Sequence, residues 1–197
     1  MTIVVAGGAG FIGTNFVLNR IEKYDEKIIV LDKLTYAGNL KNFSSLTNNK
    51  NLIFIEGDIS NKTLIKEILQ THHPRGLINF AAETHVDNSI KAPEKFVHTN
   101  ILGTFKLLEE TKKYYENISL HKQSEFRFLN ISTDEVFGSL DEDDKSFTEE
   151  SCYKPNSPYS ASKAGADHLV RAFFQTYKIP VITTNCSNNY GPFQHNE

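Results

Sequence analysis

The chain has 197 residues, of which 39% are hydrophobic and 23% are charged, so it can bury a sizeable core and is not a disordered polymer. Its net charge of −3 excludes an electrostatic nucleic-acid binder, which needs a basic face. The two cysteines, Cys152 and Cys186, cannot build a disulfide framework. No run of the sequence approaches the ~20 apolar residues of a membrane span. We therefore predict a cytoplasmic protein rather than a secreted or membrane protein.

Short runs rich in Val and Ile alternate along the chain with longer amphipathic segments. Near-continuous apolarity in these runs predicts strands that are buried on both faces, as in a parallel sheet. Alternation of strands and helices with short connections therefore predicts a doubly wound α/β fold with right-handed crossovers. The predicted strands are residues 3–6, 28–31, 52–55, 76–80, 126–131 and 180–184, and the predicted helices are residues 11–23, 61–72, 92–115 and 157–177.

A glycine-rich turn with the pattern Gly-x-x-Gly-x-x-Gly follows the first strand and opens the first helix. Gly7 permits a tight turn, Gly10 lets a pyrophosphate approach the backbone, and Gly13 allows helix and strand to pack closely. The helix then presents free N–H groups and the positive end of its dipole to the phosphates. The position of this turn between a strand and a helix predicts a dinucleotide site.

Two acidic residues follow the second and third strands. Asp32 ends the second strand, where a carboxylate accepts hydrogen bonds from the adenosine ribose hydroxyls and repels a 2′-phosphate, so NAD is predicted over NADP. Lys33 lies beside it, and a nearby cation could neutralise such a phosphate. Asp58 and Ile59 close the third strand, and Asp58 could either reach the adenine edge or cap the next helix.

Tyr159 and Lys163 are one turn apart at the start of the last predicted helix, just after Pro158, and therefore share one helix face. A lysine in this position can stabilise tyrosinate and lower the pKa of the tyrosine from ~10 toward a working range. The tyrosine can then accept a proton. Tyr-x-x-x-Lys alone occurs by chance on many helices, but together with the glycine turn and Asp32 it predicts a catalytic pair.

The glycine turn, Asp32 and the Tyr159/Lys163 pair resemble extended short-chain dehydrogenases that act on nucleotide sugars. Further segments are similar to the dTDP-glucose 4,6-dehydratase family, and the Thr-Asp-Glu triplet at residues 133–135 is the specific one, because most relatives in the superfamily lack an acid–base pair there. Phe137 departs from the family pattern, where tyrosine is usual. The similar segments are residues 32–39, 81–87, 131–138 and 186–192.

This resemblance implies a reaction that converts dTDP-glucose to dTDP-4-keto-6-deoxyglucose with loss of water, by an NAD-mediated internal hydride transfer. It assigns removal of the C4 hydroxyl proton to Tyr159 with Lys163, and a hydrogen bond to the C4 oxygen to Thr133. It assigns removal of the C5 proton to Glu135 and protonation of the departing C6 hydroxide to Asp134. Adjacent carboxyls in a partly closed site tend to titrate apart, as this division requires.

The binding residues follow from the glycine turn and the same resemblance. The predicted cofactor-binding residues are Gly7, Gly10, Phe11, Ile12, Gly13, Asp32, Lys33, Leu34, Thr35, Asp58, Ile59, Ala81, Ala82, Glu83, Thr84, Thr99, Tyr159, Lys163 and Asn189. The predicted substrate-binding residues are Thr84, His85, Thr133 and Asn188. His85 and His98 could equally be polar residues that are satisfied locally. The histidines show no metal-ligand spacing, and no metal is predicted.

Two other functions share most of these features. A nucleotide-sugar 4-epimerase has the same fold, NAD and Tyr–Lys pair but no use for an adjacent acid and base. A non-catalytic NAD-binding fragment is the other alternative, because family members continue well beyond this length. We therefore predict a Rossmann-type NAD-binding domain over residues 1–187 and the start of a sugar-nucleotide-binding region over residues 188–197, with the chain inactive alone. Relatives usually dimerise through two helices, which predicts a homodimer through residues 92–115 and 157–177.

Overall fold

The computed structural model describes residues 1–195, which fold around one six-stranded parallel sheet. Its strands are β1 (Thr2–Ala6), β2 (Lys27–Asp32), β3 (Leu52–Glu56), β4 (Gly76–Asn79), β5 (Arg127–Thr133) and β6 (Val181–Cys186). The strand order is β3-β2-β1-β4-β5-β6, and each neighbouring pair is parallel. The chain starts in the middle of the sheet and reverses its direction of growth between β1 and β4, which opens a crevice at the carboxyl ends of these two strands.

Both faces of the sheet are covered. The structure contains α1 (Phe11–Lys23), α2 (Lys62–His72), α3 (Val86–Lys91), α4 (Pro93–Phe96), α5 (Thr104–Asn117), α6 (Leu120–Glu125) and α7 (Pro158–Tyr177). Alternate residues of β1 point to opposite sides: Val4 joins a core with α2, α5 and α7, whereas Val5 joins a second core with α1. Each buried aliphatic side chain of this kind contributes about 1.5–3 kcal/mol. The predicted doubly wound α/β fold is confirmed.

Side-chain caps set where the long helices begin. Ser157 and Ser160 form a reciprocal capping box at the start of α7, and Pro158 occupies the first turn. Asn61 caps α2, because its side chain accepts a hydrogen bond from the backbone N–H of Leu64. This excludes the alternative in which Asp58 caps α2.

The predicted helix over residues 92–115 is more complex than its periodicity indicates. It begins as α4, continues as a π-helical segment over Val97–Gly103, and ends as α5 at Asn117. A π-helical turn inserts a residue into the hydrogen-bonding ladder and often marks a functional position. Here it contains Thr99 and the buried Asn100.

Several short helices lie outside the predicted elements. They are 3₁₀ helices at Leu40–Leu46 and Asp134–Phe137, together with α3 and α6. Each begins where a side chain accepts a hydrogen bond from the following backbone, and the capping residues are Asn39, His85, Ser119 and Thr133. One or two turns carry no helical periodicity, so the sequence pattern does not reveal them. None of the described helices combines the length and the apolarity that crossing a bilayer requires.

Candidate active site

The glycine turn after β1 is fixed by close backbone contacts. Gly7 has a φ of +72°, which side chains rarely adopt, and a β-carbon there would overlap the backbone of Ala81. A β-carbon at Gly13 would overlap the carbonyl oxygen of Gly7 and the Cα of Gly8. The turn therefore packs against the start of α1 as closely as the sequence pattern predicts.

Gly10 has a different environment from the other two glycines. It is the N-cap of α1 and provides no side-chain cap, and a β-carbon there would meet the carbonyl oxygen of Gly7 at an ordinary 3.5 Å. The first N–H groups of a helix have no intrahelical partner. The helix end therefore offers its N–H groups and its dipole to an anion in open space.

Asp32 connects this turn to the loop after β2. Its carboxylate accepts a hydrogen bond from the backbone N–H of Ala9 at 2.9 Å and another from the N–H of Leu34 at 2.8 Å. Only 8% of the residue is exposed, so these charge-assisted bonds are well shielded from water. Each carboxylate oxygen keeps a lone pair for a further donor.

Lys33 is bound to Asp58 by an ion pair of 2.7 Å, and the Asp58 carboxylate also accepts a hydrogen bond from the backbone N–H of Ser60. Burial raises the pKa of Asp58, but hydrogen bonds from Lys33 and Ser60 and the charge of Lys33 outweigh it and hold this pKa below its ordinary value. Asp58 therefore stays ionised at neutral pH and neutralises the cation that could otherwise attract a 2′-phosphate.

Two joined cavities follow the carboxyl edge of the sheet. The smaller, of about 100 Å³, lies beside Asp32 and Asp58, and the larger, of about 690 Å³, lies between α1, β5 and α7. Five residues line both cavities: Gly7, Gly10, Ala37, Phe80 and Ala82. The predicted site residues that line one or both are Gly7, Gly10, Phe11, Ile12, Gly13, Asp32, Lys33, Thr35, Asp58, Ile59, Ala81, Ala82, Glu83, Thr84, His85, Thr99, Thr133, Glu135, Tyr159, Lys163, Asn188 and Asn189.

Two predicted site residues are absent from these linings in the described part of the chain. Leu34 contributes its backbone N–H to Asp32 and adopts a φ of +54°. The Asp134 carboxylate accepts a long hydrogen bond of 3.5 Å from the hydroxyl of Thr133. The next residue, Glu135, lines the larger cavity.

Tyr159 and Lys163 line the larger cavity from α7. The Tyr159 ring packs edge-on against the buried Phe96, with 6.4 Å between the ring centroids. The ammonium group of Lys163 donates to the carbonyl oxygen of Ile131 on β5 at 2.6 Å. Burial lowers the pKa of Lys163, and the negative charge of Asp167 opposes this effect without cancelling it.

The end of β5 directs two more polar groups to the same cavity. Thr133 caps the 3₁₀ turn over Asp134–Phe137 by accepting a hydrogen bond from the backbone N–H of Glu135 at 3.2 Å. Burial raises the pKa of Glu135, and the charge of Asp134 raises it further. A carboxylate with a raised pKa is the stronger base, so Glu135 is suited to removing a proton from carbon.

Asn100 links two segments of the site by hydrogen bonds, and the sequence did not predict this role. Asn100 is buried in the π-helical segment, where it exchanges two hydrogen bonds of 2.9 Å with the backbone of Glu83. Its amide also donates to the hydroxyl of Ser162 at 2.8 Å, one residue before Lys163. It therefore fixes the segment after β4 against α7. An asparagine within a helical pattern gives no sequence signal for this role.

The two histidines that the sequence left open are now distinguished. The side chain of His85 caps α3 and also lines the larger cavity, so local satisfaction and a place in the site occur together. His98 is exposed. Cavity residues outside the predicted set of site residues include Ala37, Phe80, Cys186, Gln194 and His195. Within residues 1–195 no group of three or more His, Cys, Asp or Glu side chains is arranged to hold a metal ion.

The class of protein follows from this arrangement. The parallel sheet carries a glycine turn at its switch point, with an acidic residue at the end of β2 and a Tyr–Lys pair facing the same crevice. These features define a Rossmann-type domain of the short-chain dehydrogenase class. Residues 4–197 match the family model described as GDP-mannose 4,6 dehydratase, and the chain belongs to that family.

Comparisons with individual proteins agree with the resemblance inferred from the motifs. A dTDP-glucose 4,6-dehydratase of Xanthomonas campestris pv. campestris is 53% identical over 100% of this chain and 55% of its own length. The crystal structure of a dTDP-glucose 4,6-dehydratase of Streptomyces venezuelae with NAD bound has a TM-score of 0.88 at 42% identity, over 99% of this chain and 58% of that one. A UDP-glucose 4-epimerase of Thermus thermophilus, in complex with NAD, has a TM-score of 0.84 at 27% identity, over 99% of this chain and 58% of that one. The chain spans just over half the length of these relatives.

Proposed function

We propose that this chain carries the NAD-binding and proton-transfer half of a dTDP-glucose 4,6-dehydratase. The single observation that carries the proposal is that Glu135 lines the same cavity as Tyr159 and Lys163. A base for the C4 hydroxyl and a separate carboxylate for the C5 proton are what oxidation followed by elimination requires. The similarity to dehydratases at 42–53% identity supports the same activity.

The residues fit NAD as the cofactor. The uncapped end of α1 at Gly10 suits the pyrophosphate, and the remaining lone pairs of Asp32 suit the hydroxyls of the adenosine ribose. The ion pair between Lys33 and Asp58 supports NAD rather than NADP, because it leaves no uncompensated cation beside the ribose. NAD supplies the reversible hydride acceptor of the reaction when it is bound.

The side chains around the larger cavity divide the proton transfers. Tyr159, assisted by the adjacent ammonium group of Lys163, accepts the proton of the C4 hydroxyl, and Thr133 donates a hydrogen bond to the same oxygen. Oxidation at C4 makes the C5 proton acidic, and Glu135 removes it. Asp134 protonates the departing C6 hydroxide, which requires its side chain to turn away from Thr133.

The epimerase alternative rests on the similarity of the fold. An epimerase moves a hydride away from C4 and back to it, and therefore needs no base for C5. No step of that reaction uses a carboxylate with the raised pKa and the cavity position of Glu135. We therefore favour the dehydratase.

Three further parts of the proposal concern the whole protein. We propose that residues 1–187 form the NAD-binding domain, since β6 ends at Cys186. We propose that residues 188–197 are the start of the sugar-nucleotide-binding region. Residues 196–197 lie outside the described residues. Exposed apolar side chains on the π-helical segment and α7 support a homodimer; they are Val97, Leu102, Phe174 and Tyr177. The cytoplasm is the proposed location. The sugar nucleotide is the proposed partner.

The test is product analysis with a chimera in which this chain replaces the matching part of the Xanthomonas relative. We expect the chimera to form a 4-keto-6-deoxy product from dTDP-glucose, while the 197-residue chain alone binds NAD and forms negligible product. Remote binding energy that orients the sugar is missing from the chain alone. An isomerised sugar as the product of the chimera would favour the epimerase. Comparable turnover by the chain alone would refute the proposed division into two halves.

A further inference from the structure

A buried carboxylate lies behind the Tyr–Lys pair and takes no part in the proton transfers described above. Asp167 is only 3% exposed and follows Lys163 by one turn of α7. Its carboxylate accepts hydrogen bonds from the hydroxyl of Ser132 at 2.6 Å, the amide of Asn130 at 3.0 Å and the hydroxyl of Tyr153 at 3.2 Å. A buried charge with this many donors is costly to assemble and demands an explanation.

The contacts of Asp167 and Lys163 fall on consecutive residues of β5. Lys163 donates to the carbonyl oxygen of Ile131, and the two residues that flank Ile131 donate their side chains to Asp167. Two side chains one turn apart on α7 thus hold three successive residues of one strand. This arrangement fixes both the position of α7 along its axis and its rotation about that axis relative to β5.

Tyr159 lies one turn before Lys163 on the same helical face. Its position at the cavity therefore depends on the register that these contacts set. The strand beneath it leads directly into Thr133 and Glu135, the groups proposed to work with the tyrosine. A shift of α7 by one residue would carry Tyr159 about 1.5 Å along the helix and away from them.

We propose that Asp167 is the positioning residue of the Tyr159–Lys163 pair: it fixes the register of α7 on β5 and supplies the counter-charge that keeps the buried Lys163 ammonium protonated. The proposal rests on the proposed function only in taking Tyr159 as the proton acceptor. It concerns Asp167 as a group that acts through Lys163 and touches neither substrate nor cofactor.

The charges around Asp167 agree with this role. Burial lowers the pKa of Lys163, and the charge of Asp167 is the largest influence that opposes it. The pKa of Asp167 lies above its ordinary value because burial outweighs the hydrogen bond from Ser132 and the charge of Lys163.

Two more groups pack at this place. Burial and the charge and hydrogen bond of Asp167 raise the pKa of Tyr153 to about 12, so Tyr153 remains a protonated donor at neutral pH. The Tyr153 ring also packs on the ring of His168, with 4.7 Å between centroids. The titratable groups nearest the carboxylate of Asp167 are thus Lys163 and Tyr153, with His168 packed on Tyr153.

The experiment is a titration of Tyr159 in the 197-residue chain, labelled with ¹³C at the tyrosine Cζ. The Tyr159 resonance is assigned by its loss in Tyr159→Phe. We expect Asp167→Asn to raise the apparent pKa of Tyr159 by about one unit, the scale of one neighbouring charge, because Lys163 loses its proton when its counter-charge is removed. The sign is decisive: if Asp167 acted on the tyrosine only through its own field, removing the negative charge would lower the pKa of Tyr159. A fall or no change therefore overturns the proposal.

Two variants complete the experiment. Asp167→Glu keeps the charge, and we expect the pKa of Tyr159 to remain at the wild-type value; a rise equal to that of Asp167→Asn would show that the charge is not what matters. If Asp167→Asn does not fold, as monitored by its amide spectrum, Asp167→Ser replaces it as the neutral variant, and a fall or no change in the pKa of Tyr159 again overturns the proposal. Tyr153→Phe removes one hydrogen bond to Asp167 without a change of charge and should leave the titration of Tyr159 unmoved.

The same titration separates this proposal from the proposed function. If wild-type Tyr159 titrates near the ordinary value of ~10, the Tyr–Lys pair itself is not an activated base and the proposed function is in difficulty. If wild-type Tyr159 titrates well below that value and Asp167→Asn leaves it there, only the role of Asp167 is wrong.

Discussion

The glycine turn offers a matched pair of substitutions, because two of its glycines are needed for different reasons. A methyl group at Gly13 would overlap the backbone of Gly7 and Gly8, whereas a methyl group at Gly10 would make only an ordinary contact within the protein. Gly13→Ala therefore disturbs folding itself. Gly10→Ala places its methyl group in the space in front of α1, where we expect the pyrophosphate.

The expected magnitudes follow from these contacts. Forcing a methyl group into a packed site costs about 1–3 kcal/mol, so Gly13→Ala should lower the free energy of unfolding by that amount. Alanine is a poorer N-cap than glycine, so Gly10→Ala should cost about 1 kcal/mol or less. The affinity of Gly10→Ala for NAD should nevertheless fall at least tenfold, which corresponds to about 1.4 kcal/mol of binding free energy.

Urea denaturation gives the stability of both variants, and calorimetric titration with NAD gives the affinity. The reasoning is refuted if Gly10→Ala binds NAD as tightly as the wild-type chain. It is equally refuted if Gly13→Ala unfolds at the wild-type urea concentration.

Three more predictions concern acidic residues. Asp32→Asn should reduce the ratio of NAD affinity to NADP affinity that calorimetric titrations measure for the wild-type chain. Asp25→Asn, which changes an exposed carboxylate, is the control. A wild-type chain that binds NADP as tightly as NAD would contradict the role of Asp32. In the chimera, Glu135→Gln should bind NAD normally but slow exchange of the C5 proton with solvent about 10²–10⁴-fold, and a parental rate would move the base elsewhere. Burial raises the pKa of Glu26, but hydrogen bonds and charges from Arg75 and Arg20 outweigh burial and hold this pKa below its ordinary value. The stability that Glu26 provides is therefore fully present above the pKa of Glu26 in the unfolded chain. It is lost as the pH falls through the pKa of Glu26 in the folded protein. Glu26→Gln should flatten the acid limb of stability measured by urea denaturation, and an unchanged limb would argue against the pairing.

Local patterns predicted those parts of the fold that depend on local rules. The inner strands β1, β2, β4 and β5 were visible because parallel strands buried on both faces leave apolar runs. The edge strands β3 and β6 are only partly buried. The start of α1 follows from the glycine turn. The face of α7 that lines the larger cavity was visible because Tyr159 and Lys163 are one turn apart. These signals need only the sequence within one element or one turn.

The contacts between distant segments could not be predicted in this way. The ion pair between Lys33 and Asp58 joins the ends of β2 and β3, and Asn100 joins the segment after β4 to α7. Asp167 lies only four residues from Lys163, yet its partners on β5 depend on how α7 crosses the sheet. Polar residues of this kind look like ordinary surface positions until the packing is known.

The central element of the proposed function is that Tyr159 and Glu135, which line one cavity, serve oxidation at C4 and elimination across C5 and C6. The most direct measurement supplies the chimera with dTDP-glucose that carries deuterium at C4 and locates the label in the product by NMR. Internal hydride transfer predicts that the deuterium arrives at C6 of a 4-keto-6-deoxy sugar. Deuterium retained at C4 of an isomerised sugar, or lost to solvent, would contradict the account.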